Sequence, residues 1–211
     1  MSPLARLVGP PLPPPASPTV NAALRRAAAT ALGVTLIDAR EQETSVPFAE
    51  LRASARRVAA GLLARGVRPG DRVAIVLPTG RDFLDAFFGA QLAGAVPVPL
   101  YPPLRLGRMD EYVLGTARML LAVAPAVVLS DRRVRLLLGR AVERARPPLG
   151  CLTVADLRDT RAEAEVEVAP DALGVIQFSS GSTADPKPVA LSHHNLVAQC
   201  ASLQALLADP A

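Results

Sequence analysis

The chain has 211 residues, half of them hydrophobic and a fifth charged, with aromatics at only 3% and a net charge of +4. This balance suits one α/β unit with an aliphatic core, and the basic excess comes without stacking aromatics or a nucleic-acid motif, so nucleic acid is not an expected partner. Cys151 and Cys200 have no partner at metal-ligand spacing and form no disulfide framework, which suits a reducing cytoplasm.

From the N-terminus, residues 1–18 hold seven prolines and no sustained apolar run, so they read as an extended, disordered arm. They lack the continuous apolar centre of a secretory signal. A first strand is expected at Val34–Asp38. Phe48 then opens a helix whose apolar positions Leu51, Ala55, Val58, Leu62 and Leu63 recur at helical spacing, and Gly66 ends it. The turn Pro69-Gly70-Asp71 leads into a continuous apolar strand, Arg72–Leu77, of the kind buried parallel sheets require. Phe83, Leu84, Phe87, Phe88 and Leu92 form the expected buried stripe of the next helix. The run AVPVPLYPP (95–103) begins as a strand and ends as a rigid loop.

The longest apolar run, Met119–Leu129, contains Pro125 and falls well short of the roughly 20 residues a membrane span needs, so no transmembrane segment is expected. A strand at Ala126–Ser130 precedes an arginine-rich helix bearing Arg132, Arg133, Arg135, Arg140, Arg144 and Arg146, with Leu136, Leu137 and Val142 between them, which reads as an amphipathic surface helix. The acidic, alanine-rich stretch Ala155–Asp171 reads as a solvated connection. Strands at Leu173–Phe178 and Pro188–Leu191 flank a polar loop, and Ser192 caps a last helix. Strand and helix signals alternate, so the expected fold is α/β, a layered and mostly parallel sheet with flanking helices. Its last strands should lie exposed at an edge.

The polar loop carries the chemistry. In QFSSGSTADPKPVALSHHN (177–195), Ser179, Ser180, Ser182 and Thr183 offer hydroxyl donors, Gly181 lets backbone N–H groups approach an anion, and Lys187 adds positive charge. That is a phosphate-binding set. A Walker P-loop does not fit, since it needs glycine before the lysine and Ser or Thr after it, whereas Pro186 and Pro188 flank Lys187. Adjacent His193 and His194 point in different directions at a helix start and are not a metal pair. The loop instead resembles the phosphate-binding signature of the adenylate-forming enzymes, the acyl-CoA synthetases, fatty acyl-AMP ligases and adenylation domains of peptide synthetases. Ser179, Ser180, Gly181, Ser182, Thr183, Pro186, Lys187, Val189, Ser192 and His193 match that pattern. Ala184 and Pro188 depart from it, each standing where glycine is usual; Pro188 removes a backbone donor and fixes φ. The run AVPVPLYPP resembles fatty acyl-AMP ligases in particular.

The resemblance implies that residues 19–211 are a partial AMP-binding domain, the incomplete N-terminal portion of the adenylate-forming fold, ending after the phosphate loop and its helix. It implies ATP with Mg²⁺, a fatty acid or similar carboxylate as substrate, and coenzyme A or an acyl carrier protein as acceptor. Ser179, Ser180, Gly181, Ser182, Thr183 and Lys187 are then the nucleotide-binding residues. The family's magnesium, ribose and hinge residues and its C-terminal catalytic lysine follow the loop and belong to a missing C-terminal portion of the same enzyme, so these residues hold no catalytic acid, base or metal ligand. By themselves they are expected not to adenylate at a useful rate. The alternative is a non-catalytic remnant or pseudo-enzyme interaction subunit, which Pro188 favours.

Overall fold

In the computed structural model, which describes residues 14–103, 109–179 and 186–208, helix α1 (Val20–Ala27) precedes a hairpin of β1 (Gly33–Ile37) and β2 (Glu43–Pro47). Helix α2 (Phe48–Ala64) follows. Four strand–helix units come next: β3 (Arg72–Val76) with α3 (Arg81–Leu92), β4 (Val96–Leu100) with α4 (Met109–Val123), β5 (Val127–Ser130) with α5 (Arg132–Ala145), and β6 (Cys151–Thr153) with the short α6 (Val154–Arg158). A second hairpin, β7 (Leu173–Phe178) and β8 (Pro188–Ser192), leads into α7 (His193–Ala208). None of the described helices is long and apolar enough to cross a membrane.

Strands β3 to β6 form a parallel sheet in the order β4-β3-β5-β6, with helices on both faces. Along β3 the side chains alternate. Val73 and Ile75 join the core built with α2, α3 and α6, while Ala74 and Val76 join the one built with α4 and α5. Burial on both faces is why this strand is apolar at every position after Arg72. Gly66, the residue after the α2 C-cap, sits at φ +97°, and Val67 N–H returns to the carbonyl of Leu62, a left-handed helix stop as its position predicts.

The sheet ends at β4 for a chemical reason. Val96 N–H donates inward to the carbonyl of Asp71, so positions 96, 98 and 100 face β3 and the outward positions are Pro97 and Pro99, which carry no N–H. Strand β7 therefore lies against β4 without joining its ladder, pairs only with β8, and packs Ile176 and Phe178 among Val96, Val98 and Leu100. The four-stranded sheet is parallel throughout, and the two antiparallel hairpins are separate from it. The strand expected at Val34–Asp38 pairs antiparallel with β2, for which the sequence pattern gave no signal, and β8 is largely exposed.

Packing corrects several expectations. Helix α3 turns its small residues, Ala86, Gly89 and Ala90, to the core rather than its phenylalanines, because α2 crosses it too closely for larger groups. A Cβ on Gly89 would lie 2.5 Å from Val58 Cγ1. Phe83, Phe87 and Phe88 are half-buried at the margin of that contact. The acidic stretch, read as solvated, is bound down over α2 instead. Its start forms most of α6, and beyond it Ala164 N–H donates to the carbonyl of Arg56 (3.1 Å) and Val166 N–H to that of Leu92 (2.7 Å). Glu165, nearly buried, accepts from Arg25 (2.6 Å) and Arg52, and Glu163 accepts from Arg56 (2.6 Å). Likewise, in the arginine-rich helix the buried residues are Val134, Leu138 and Ala141, while Leu136 is exposed. Of the proline-rich arm, residues 1–13 lie outside the described residues; Ser17 is buried, and the carbonyl of Ala16 accepts from Arg26.

Asp85 is the fully buried charge of the α2–α3–α6 contact. It accepts from Ser54 Oγ (2.8 Å), Arg81 Nε (3.0 Å) and Arg158 Nη1 (2.6 Å). Removing it leaves the Ser54 hydroxyl without its acceptor and takes the buried partner from Arg81 and Arg158, which keep Glu50 and Asp82, so Asp85→Ala is expected to lower the unfolding free energy by about 2–3 kcal/mol. Asp82, a more exposed partner of Arg158, should cost under about 1 kcal/mol when replaced by alanine. Urea unfolding of both variants checks the contrast, and equal losses would refute it.

Candidate functional site

The β7–β8 hairpin presents the polar loop at its tip. Val175 and Ile176 are buried against β4 and α7, and the register runs from Leu173 opposite Ser192 to Phe178 opposite Pro188. Ser179 N–H donates to the carbonyl of Lys187 (2.9 Å), and Lys187 N–H donates back to Ser179 Oγ (3.4 Å). These two residues thus form the neck of the loop, both exposed. Ser180, Gly181, Ser182 and Thr183, the other four predicted phosphate ligands, lie outside the described residues.

The neck also shows what Pro188 does. Opposed residues of an antiparallel pair alternate between bonded and non-bonded positions, and since Ser179 and Lys187 are bonded, Phe178 and Pro188 are not. The proline nitrogen faces away from β7. No ladder bond is lost, and the hairpin stays paired to its base.

Beside the neck opens a cleft of about 670 Å³. Its floor is the C-terminal ends of β3 and β4, through Leu77–Thr79 and Pro99–Pro102, and its walls include Phe83, Met119, Phe178 and Ser179. From β3 the chain passes to β4 on one side of the sheet centre and then to β5 on the other, a reversal of direction beyond which ligands bind in open α/β sheets. Tyr112 Oη donates to the carbonyl of Tyr101 (3.0 Å) and fixes the loop after β4. Chemically the cleft combines apolar walls with the hydroxyls of Thr79 and Ser179 and the Gln177 amide at the loop. Tyr101 belongs to the run AVPVPLYPP singled out from the sequence, whereas Thr79 was not named there; Pro78-Thr79-Gly80, a turn directly after a buried strand, was the available signal for it.

The hairpin is held from below by buried polar groups. Gln91 Nε2 donates to the carbonyl of Gly174 (2.5 Å), and Asn21 Nδ2 to the backbone carbonyl of Gln91 (3.0 Å), tying β7 to α3 and α1. Ser192 caps α7: its Oγ accepts from Asn195 N–H (3.2 Å), and its own N–H donates to Asn195 Oδ1 (3.0 Å). His193 is 2% exposed and its Nδ1 accepts from Val20 N–H (3.3 Å), whereas His194 is exposed, so the adjacent histidines diverge. Burial pushes the His193 imidazole below its ordinary pKa. Among the described residues no group of three or more His, Cys, Asp or Glu could hold a metal ion.

Three comparisons bear on this geometry. A family model described as AMP-binding enzyme matches residues 21–210. A feruloyl-CoA synthase of an Amycolatopsis species is 34% identical over 164 residues, covering 78% of this chain and 32% of that protein. A long-chain-fatty-acid–AMP ligase of Mycobacterium tuberculosis is 36% identical over 136 residues, covering 61% of this chain and 22% of that one. Among solved structures, one from a study of fatty acyl-adenylate ligases from E. coli and L. pneumophila superposes with a TM-score of 0.82 at 29% identity, covering 92% of this chain and 35% of that one. The chain thus spans about a third or less of the length of these proteins.

The buried histidine makes the hairpin base sensitive to acid. With its folded pKa below the ordinary value of about 6.5, the unfolded chain takes up a proton that the folded chain refuses. Its contribution to stability is therefore intact above about pH 6.5 and declines as pH falls below that, by at most about 1.4 kcal/mol per pH unit. Urea unfolding of the chain and of His193→Gln, from neutral pH into the acid range, should show a shallower decline in the variant just below about pH 6.5. Parallel curves would place the titration elsewhere.

Proposed function

This chain belongs to the AMP-binding enzyme family, and we propose that it carries the pyrophosphate-gripping part of an ATP-dependent enzyme that adenylates a fatty acid or similar apolar carboxylate. The observation that carries this reading is that Ser179, paired to Lys187 at the neck of the loop, lines an apolar cleft at the C-terminal ends of β3 and β4. In the proposed reaction a carboxylate oxygen attacks the α-phosphorus of ATP and the bond to pyrophosphate breaks, giving acyl-adenylate and pyrophosphate. The thiol of coenzyme A or of a carrier protein then attacks the acyl carbonyl and releases AMP.

The chain's own contribution lies on the leaving group. The Ser179 hydroxyl, with hydroxyls and backbone N–H groups of Ser180, Gly181, Ser182 and Thr183, would surround the β- and γ-phosphates, and the Lys187 ammonium would offset the charge that grows on pyrophosphate as the bond breaks. Phosphorus chemistry of this kind depends on positioning and charge more than on covalent help, which suits a loop held by a hairpin tied to α1 and α3. The apolar walls of the cleft support an apolar acid. Two relatives, a feruloyl-CoA synthase and a long-chain-fatty-acid–AMP ligase, support the same class of substrate.

Hydrogen exchange tests the proposal without requiring turnover. ATP or pyrophosphate is expected to slow amide exchange across the segment from Phe178 to Val189, and Lys187→Ala to weaken ATP binding about tenfold or more, the worth of one hydrogen bond to a charged group. Exchange that is the same with and without nucleotide would sink the proposal.

A further inference from the structure

Helices α4 and α5 lie side by side over one face of the sheet, and their inner sides are taken up by the core: Val113, Ala117 and Leu120 from α4, Val134, Leu138 and Ala141 from α5. Their outer sides hold groups the core does not use. Leu114 and Leu121, two turns apart on α4, are 42% and 58% exposed, and Leu136 on α5 is 84% exposed. Leu136 sits on the outward ridge of α5 between Arg132 and Arg140, one turn away on either side, with Arg133 and Arg135 flanking it. Residues 109–146 contain seven arginines against four acidic residues, so this segment supplies +3 of the chain's net +4. Arg140 is paired with Asp110 (2.9 Å), but Arg132, Arg133, Arg135 and Arg144 form no ion pair among the described residues.

We propose that the α4–α5 layer docks the chain on an anionic lipid surface, with the arginines against headgroup phosphates and Leu114, Leu121 and Leu136 at the acyl boundary. Three features select this occupant. Unpaired guanidinium groups concentrated on one face are complementary to a negatively charged plane, where each adds about 1 kcal/mol of attraction. The leucines stand apart, Leu114 and Leu121 about 10 Å from each other along α4, and a bilayer accepts separated apolar side chains that a peptide partner would need a continuous groove to seat. Arginine stems are long enough to let the leucines reach below the headgroups while the charges stay with the phosphates.

The inference stands on charge and exposure alone and survives if the phosphate-loop proposal fails. Taken with that proposal it has a consequence, because α4 lines the cleft from its inner side through Met119. Docking by the outer side would set the wall of the cleft against the phase in which long-chain acids dissolve.

Flotation of the full chain with vesicles of phosphatidylcholine alone, and of phosphatidylcholine with about a third phosphatidylglycerol, tests the proposal. Binding is expected to the anionic vesicles only, to weaken as salt is added to the unmodified chain, and to fall roughly a hundredfold in the triple variant Arg132→Gln, Arg133→Gln, Arg135→Gln, at about a factor of five per arginine. Leu136→Ser should weaken it further. Nucleotide protection of the β7–β8 tip, followed in the same variants, should not change, which separates failure of this idea from failure of the other. Equal binding to both vesicles, binding to neither, an unaffected triple variant, or capture by polyglutamate without vesicle binding would overturn the proposal, the last assigning the face to an acidic protein.

Discussion

A parallel sheet grows by lending backbone donors and acceptors to the next strand, and β4 withholds its donors. Pro97 and Pro99 occupy the outward positions of its edge, so β7 cannot extend the ladder although it packs against β4. The rest of the candidate site depends on this refusal. A strand that joined the sheet would carry its following loop away in the sheet's own plane; a separate hairpin can lean, and this one leans so that Ser179 and Pro186 flank the cleft floored by the ends of β3 and β4.

A hairpin outside the sheet needs other anchors, and here they are polar and distant in sequence. Gln91 reaches β7 from α3, Asn21 of α1 holds the backbone of Gln91 in turn, and His193 receives a backbone donor from the start of α1. On the neighbouring surface of α2, burial opposes ionisation of Glu165, but hydrogen bonds and charge from Arg25 and Arg52 outweigh it and hold the carboxyl below the usual range. The strap that carries Glu165 connects α6 to β7. Closing it over α2 therefore fixes where the site hairpin begins, a link from surface electrostatics to the position of the loop.

Elements with a strong local signature were legible in the sequence. The strand at Arg72–Val76 announced itself by an unbroken apolar run, the end of α2 by Gly66, and the start of α7 by Ser192. So was the chemistry of the loop, because hydroxyls, glycine and lysine between two apolar runs have few other uses. What escaped depends on long-range geometry. Four of five residues of β2 are exposed, leaving no alternation to read. Helical spacing finds a stripe on α3 but cannot say that Ala86 and Gly89 face inward ahead of three phenylalanines, since that is set by how closely α2 approaches. The acidic strap looks solvated until Arg25, Arg52 and Arg56 are brought over it from elsewhere in the chain.

Pro188 looked from the sequence like damage to the phosphate loop. In the fold it begins β8, at a position whose nitrogen points away from β7 toward the open side of the hairpin, and β8 is the most exposed strand near the site. An open strand edge invites another copy of the chain to add itself, and repeated addition is how soluble molecules are recruited into fibrils. With no N–H to offer at that position, Pro188 breaks the template where it starts. The residue that departs from the family pattern can thus be understood as a guard against misassembly, placed on the exposed strand beside the chain's most polar loop.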